Sequence, residues 1–459
     1  MLLHPKIESA YQLLHEGTLA LSNAEEAGIR IDMDYVRREY VKLTLRISEL
    51  EKQFKDTKLY KHWEHASNGK VNINSDAQLR WFLYDIKRLS PPKYTESGLG
   101  STDEETLLKL EIPELLNLIE MKKLKKTRDY LDGFSREQVD GYIHPNFNLH
   151  LVKTYRSSAN NPNLQNIPNR DEEQMSICRG ALYPRPGHQF LEVDFKAIEV
   201  AVSCCYHKDS NMLKYVKNKS TDMHSDMAKQ IFMIDEIDKS KPGHVILRQA
   251  AKNGFVFPQF YGDYYIDCAN VILGWIKLPS GKWTVHQGIE LDTKMFTISD
   301  HLISKGINSS KAFESHLKDV EDDFWNNRFS EYNDWKKRWW RVYQKYGYID
   351  LLTGFRCSGI MDMKNCINYP IQGTAFHCLL WSFIETDNWL RNEGFDTRLI
   401  GQIHDSMILD VNPEELEEVK TMIKKITCEM LPGHYKWIIV PLEVDMKVYP
   451  VDGSWAEKK

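Results

Sequence analysis

Four residues, widely spaced along the chain, have the side-chain types that phosphoryl chemistry needs: Asp194 in FLEVDFKAIEV, Arg248 and Lys252 in RQAAKNGFVFPQFYG, and Asp405 in GQIHDSMILDV. Nucleotidyl transfer uses two divalent cations about 3.5–4 Å apart, one acidifying the attacking 3′ hydroxyl and one holding the triphosphate and leaving group. Mg²⁺ keeps several waters and is held by one or two carboxylates plus substrate oxygens. Two aspartates are therefore enough. Arg248 and Lys252 are four residues apart, which on a helix stacks them on one face. Such a pair can bind the γ- and β-phosphates, and Lys252 can protonate departing pyrophosphate. Phe255, Phe257, Phe260 and Tyr261 follow and offer a stacking surface for a base. Singly, each feature has a plainer reading: the aspartates as turn residues or caps, the cations as a solvated helix face, the aromatics as core. Their order and combination point to one nucleotidyl-transfer site.

To meet, the two aspartates must share a sheet. HQFLEVDF is a short strand pattern ending at Asp194, and AIEVAVSCCYH then reads as a helix. TRLIGQIHDSMILDV has strand-like runs on either side of His404 and Asp405, a hairpin with a carboxylate at its tip. Residues 1 to about 150 read as mostly helical: Val36, Tyr40, Leu43, Ile47, Leu50 and Phe54 recur at gaps of four and three, the seam of a long helix packed on a partner. Ser75 with Gln78 three residues on predicts a capping box, and a further helix follows Pro113. The Asn-, Ser- and Pro-rich stretch from about 142 reads as loop, helices dominate 211–262, and 263–312 reads as an irregular or β-containing insertion. Trp275 and Trp283, flanking KLPSGK, predict a hairpin-like protrusion there.

At 459 residues the chain has room for about three domains. A 42% hydrophobic content with 12 Trp and 22 Tyr supports large cores. No apolar run approaches the roughly 18 residues that cross a bilayer, and the start lacks a secretory signal pattern, so the expected location is the cytoplasm and no membrane partner is expected. Eight scattered cysteines without metal or redox spacing read as buried thiols. A net charge of −5 argues against indiscriminate coating of nucleic acid but leaves room for a local basic groove. Two basic clusters could supply one, Lys122–Lys123–Lys125–Lys126–Arg128 and Lys336–Lys337–Arg338–Arg341 around Trp339 and Trp340; either could equally be a solvated helix face.

With these motifs in hand, the chain resembles the family A DNA polymerases, the group of bacterial DNA polymerase I and many phage replicases, from about residue 20 onward. TYRSSANNPNLQNIPNR resembles the family's Arg-containing stretch, Asp194 to Glu199 its first palm motif, Arg248 to Gly262 its fingers helix, NCINYPIQGTA and QIHDS its last active-site stretches, and VPLEVDMKV with Trp455 its closing strand. The resemblance implies an α+β right-hand fold: a lead and helical thumb in 1–150, a palm of antiparallel sheet with flanking helices in 151–215 and 346–459, and helical fingers in 216–345. It implies Asp194 and Asp405 as ligands of two Mg²⁺ ions, with Mn²⁺ as the alternative. Glu199, near Tyr261, would be the steric gate favouring dNTPs; His224, Arg248 and Lys252 would bind the triphosphate, and Phe257 would pack on the sugar. Arg156, Gln165, Asn368, Gln372, Gln402 and His404 would contact primer–template DNA, in part through minor-groove acceptors common to all base pairs.

Three departures stand out. Ser406 occupies the place where the family usually has Glu, leaving two aspartates for the metals. One extra residue lies between Lys252 and Tyr261, with Pro258 among them; a bulge or kink should absorb it, with Phe257 rather than Val256 facing the sugar. The stretch 263–312 is longer than in compact relatives, either a surface loop or an element for template handling or partner binding. The short lead leaves no room for the family's exonuclease domain, which predicts an enzyme without intrinsic 3′–5′ exonuclease, served by a separate exonuclease or processivity factor. That layout suggests phage-type replication in a host cytoplasm; repair or lesion bypass, RNA synthesis by a related fold, and a catalytically silent nucleic-acid-binding subunit are the alternatives.

Overall fold

Gln189–Phe195 is the central strand of a four-stranded antiparallel sheet in a computed structural model that describes residues 5–95, 97–168, 171–218, 220–293 and 296–457. One neighbour is the hairpin Arg398–Ile403/Ser406–Val411, joined through its second strand; the other is Val444–Val448. Side chains alternate across a strand, so Leu191, Val193 and Phe195 enter one core while Phe190 enters another. Glu192 and Asp194 share the Phe190 face. The first core continues through the helices Ile198–His207 and Met363–Glu393. Met363–Glu393 carries apolar residues all round, as a helix buried on every side should, including Phe376, Leu379, Leu380 and Phe383.

The second core joins the sheet to an N-terminal helical lobe. Val36, Leu43, Ile47, Leu50 and Phe54 form the buried seam of Met33–Lys55, with Tyr40 partly buried beside it. The partner is Glu114–Glu137, which supplies Leu115, Leu118, Met121, Leu124, Leu131 and Phe134. Asp32 caps the first of these helices through the Tyr35 amide, satisfying an otherwise unpaired helical N–H. The expected capping box at Ser75 is only half made. Ser75 accepts from the Gln78 amide, but the Gln78 side chain bonds the Asn72 amide and not Ser75.

The other lobe is helical. Pro242–Ala251 runs through a wide π turn, Lys252–Val256, into Phe257–Tyr261 and stops at Gly262 with φ of 90°. The Phe257 N–H reaches the Lys252 carbonyl, five residues back. That turn takes up the extra residue, and Pro258, which has no N–H, sits at the start of the next helical turn, where none is required. The described residues of 263–312 are more helical than expected, with helices Tyr265–Trp275 and Ile298–Ser304 and a short ribbon, Glu290–Thr293/Phe296–Thr297. KLPSGK is not a protruding hairpin: Trp283 is buried against Phe313, 6.1 Å between ring centroids, and its amide bonds the Asn308 carbonyl. All eight cysteines are free, seven of them buried. Among the described residues no helix is long and apolar enough to cross a membrane.

Candidate active site

Asp194 is the last residue but one of the central strand, and Asp405 occupies the two-residue turn between Ile403 and Ser406, where His404 takes φ of 51°. Ser406 pairs directly with Asp194, and the Asp405 carbonyl accepts from the Phe195 amide at 3.3 Å. Residues far apart in the chain thus stand side by side where the two inner strands of the sheet meet the turn. Both carboxyls are half-buried, and both titrate above the usual carboxylate range. Burial, then the charge of Asp405, pushes Asp194 up to about 6. Burial raises Asp405, with Arg156 opposing and Glu199 adding to the rise.

Next to the pair, Glu199 lies in the first turn of Ile198–His207, which begins after Ala197 in the left-handed region at φ of 48°. Its carboxylate accepts from Arg156 and, at 2.7 Å, from the Tyr261 hydroxyl. Glu199, Phe257, Tyr261, Asn368 and Gln372 line one cavity of about 40 Å³. Asn368 also donates to the Tyr261 carbonyl at 3.1 Å, tying the long helix to the end of the helix carrying Arg248.

Arg248, Lys252, Phe257 and Tyr261 are spaced four, five and four residues apart. The wide turn accounts for the middle step, which keeps all four on one side of the helix. Val256 is instead fully buried in the core. Lys252 Nζ stands 5.3 Å from the Phe257 ring centroid, and the Phe257 ring meets His224 edge-on at 5.7 Å. His224 is pushed down to about 4 by burial and by the charges of Arg248 and Lys252, and its Nδ1 is buried without a partner. A cluster of two cations and an unsatisfied imidazole is matched to an anion.

Asp222 was not singled out in the sequence, yet it holds Arg248 with two bonds, at 2.8 and 3.1 Å, and pairs with Lys239 at 2.9 Å. Its position before MHSDMA as an N-cap, accepting from the Ser225 amide, was the readable signal. Gln402 is buried, and its amide ties Ser157, Gln165 and the His404 carbonyl together. It braces the hairpin from inside, while His404 is exposed.

His404 and Gln165 line a cleft of about 750 Å³ with Lys122, Lys123 and Lys126. The cleft adjoins a second, of about 1050 Å³, lined by Lys52, Lys55, Lys122, Lys125, Lys126 and Arg128. The lysines of this first basic cluster are not all free: Lys122 pairs with Asp76, Lys123 with Glu104 and Asp171, and Lys125 bonds Asn74. In the second cluster Lys336 points inward, 3.0 Å from the Trp325 ring centroid, and burial pushes it down to about 7. Lys337, Arg338 and Arg341 remain exposed.

The sequence matches the family model for DNA polymerase family A over residues 41–270 and 329–457. The chain belongs to DNA polymerase family A. The intervening 271–328 overlaps the 263–312 expected for an insertion and extends beyond it. Among relatives, the DNA polymerase I of Chloroflexus aurantiacus is 27% identical over 460 residues, covering 95% of this chain and 42% of the relative. That of Geobacillus stearothermophilus is 25% identical, covering 96% and 45%, and the DNA polymerase of Escherichia phage T5 is 25% identical, covering 91% and 50%. The chain thus spans about half the length of these curated relatives. Among solved structures, the POL domain of Pol1 from M. smegmatis, in complex with DNA primer-template and dNTP, superposes with a TM-score of 0.72 at 22% identity, covering 96% of this chain and 70% of that one. The fold is the α+β right hand of palm, thumb and fingers.

Proposed function

We propose that this chain is a template-directed DNA polymerase that adds dNTPs to a primer 3′ end by nucleotidyl transfer with two Mg²⁺ ions. The observation that carries this reading is the convergence of Asp194 and Asp405 beside Glu199, opposite the cluster of His224, Arg248 and Lys252. In the assignment of parts, residues 1–150 supply the thumb, 151–215 and 346–459 the palm, and 216–345 the fingers.

The donor set fits Mg²⁺. Two adjacent half-buried carboxylates, raised by burial and neighbouring negative charge, are relieved by a cation between them. Among the described residues no group of three His, Cys, Asp or Glu side chains is arranged to hold a metal, so the remaining ligands would be water and substrate oxygens. Bound there, Mg²⁺, or Mn²⁺ in its place, supplies Lewis-acid activation of the 3′ hydroxyl and charge neutralisation at the phosphates.

The chain's own residues then have distinct tasks. Arg248, oriented by Asp222, and Lys252 receive the triphosphate, and Lys252 passes a proton to departing pyrophosphate. His224 adds a donor once the phosphates have raised its basicity. Phe257 supports the sugar, and Glu199, held in place by Arg156 and Tyr261, crowds a ribose 2′ hydroxyl. Gln165, His404, Asn368 and Gln372 face the primer–template, Gln402 stiffens the hairpin beneath them, and the lysine-lined clefts follow the duplex backbone. For its biological role we propose phage-type replication, with a phage DNA polymerase, that of Escherichia phage T5, among the relatives.

The test is extension of a primed DNA template with Mg²⁺ and either dNTPs or rNTPs, beside Asp194→Ala and Asp405→Ala. Extension with dNTPs only, lost in both variants, is the expected result. Primer–template binding without extension in the parent protein would overturn the reading in favour of a silent binding subunit.

A further inference from the structure

The helix that carries Arg248, Lys252, Phe257 and Tyr261 turns its other side to the segment 271–328, which lies between the two family-matched stretches. Gly254 in the wide turn lies so close to Ile272 that an added Cβ would stand 2.6 Å from Ile272 Cγ1. Phe255 packs edge-on against Phe324 at 5.3 Å, and Phe260 meets Phe324 at 5.6 Å and Trp325 at 6.2 Å. Between these aromatic contacts sits a buried amide, Gln259, only 1% exposed. Its nitrogen donates to Glu321 and its oxygen accepts from the Trp325 indole at 2.6 Å. Both ends of the amide are thus satisfied by residues from 271–328. A face of the Trp325 ring is covered by the Lys336 amino group, from the helix Ser330–Tyr346.

A buried amide left unpaired is penalised more heavily than a paired one is rewarded, so this network fixes both the axial position and the rotation of the helix at Gln259. Tyr261, which bonds Glu199, is two residues further on, and Phe257 two residues back. We propose that Glu321 and Trp325 are positioning residues for the nucleotide-facing side of this helix, and that the helix and 271–328 move as one body. The segment is then a working part of the nucleotide site, neither a loose surface loop nor a docking arm. This inference rests on the polymerase reading.

The experiment is steady-state incorporation of dNTP and rNTP by Trp325→Phe, which keeps an aromatic ring and loses the indole N–H, and by Glu321→Ala and Glu321→Gln, the last retaining an acceptor. Primer–template affinity and thermal stability are measured alongside. Trp325→Phe and Glu321→Ala are expected to raise KM for dNTP roughly five- to tenfold and to narrow the dNTP-over-rNTP ratio, with primer–template affinity unchanged and Glu321→Gln restoring most of the loss. The inference is overturned if both variants keep KM and the sugar ratio within about twofold of the parent, or if every loss in activity merely follows a loss of thermal stability. A parent protein that fails to extend primers is a separate result, which sinks the polymerase reading itself.

Discussion

Asp194 illustrates how a carboxylate proposed to hold a catalytic metal destabilises the protein that carries it. In the folded chain it titrates at about 6, against 3.8 when free, because burial and the charge of Asp405 disfavour its ionised form. The folded protein therefore binds more protons than the unfolded chain between these two values, and stability falls as pH rises through that window. Above pH 6 the ionised side chain costs at most about 3 kcal/mol, the free energy equivalent to that displacement before solvent screens the exposed part of the carboxylate. Asp194→Asn keeps the shape and removes the charge. In EDTA, the variant should be more stable than the parent by at most about 3 kcal/mol at pH 8, shrinking to about a third of that advantage at pH 4.5, where the folded parent is itself largely protonated. Urea unfolding followed by tryptophan fluorescence at the two pH values measures this directly. Addition of Mg²⁺ should then stabilise the parent and leave the variant unchanged. An advantage of the same size at both pH values, or none at pH 8, would refute the electrostatic reasoning.

Two further outcomes follow from displaced titrations. His224 is neutral at pH 6 because burial, Arg248 and Lys252 hold it near 4; a triphosphate that pairs with those cations should raise it and draw in a proton. Calorimetric dNTP binding at pH 6 in two buffers of different ionisation enthalpy should report that uptake, and a binding enthalpy independent of buffer would contradict it. Lys336, lowered by burial from 10.5 to about 7, has Glu321 favouring its charge and Lys337 opposing it. Over that interval the unfolded chain binds the extra proton, so the parent should gain stability as pH rises from 7 to about 10; Lys336→Met should flatten this slope, and an unchanged slope would assign it to other groups.

The parts legible in the sequence were those governed by local rules. Asp194 at a strand end and Asp405 in a tight hairpin turn follow from apolar alternation interrupted by polar residues, and the seam from Val36 to Phe54 follows from helical periodicity. The extra residue before Tyr261 could be counted, and its accommodation by a wide turn follows from helix geometry. The hidden parts depend on partners distant along the chain. Nothing near Arg248 reveals that Asp222, 26 residues earlier, holds it. By resemblance Gln402 is expected to contact DNA, but Ser157 and Gln165 close over it and bury it. Lys336 sits in a run of basic and aromatic residues like any solvated cluster, yet Trp325 draws it inward. Trp283 similarly looks like the base of a hairpin until Phe313 supplies its burial.

The row of residues across the sheet gives Ser406 a physical rationale. Asp194 stands between Ser406 on one strand and Asp445 on the other. Asp445 already adds to the negative field at Asp194 and is partly neutralised by Lys196 at 2.8 Å. A glutamate at 406 would place another carboxylate opposite one that is already pushed up by its surroundings, raising the energy of the metal-free protein further. Ser406 introduces no charge, and its hydroxyl is satisfied locally by the Ile403 carbonyl at 2.8 Å. The same hydrogen bond closes the turn that presents Asp405. What the hydroxyl cannot supply is a third negative charge for the proposed cations, so under the proposed two-metal mechanism the burden of holding them would pass to Asp194, Asp405 and the incoming phosphates. In such a site the nucleotide would itself be a principal metal ligand, which would tie assembly of the metal centre to arrival of the substrate.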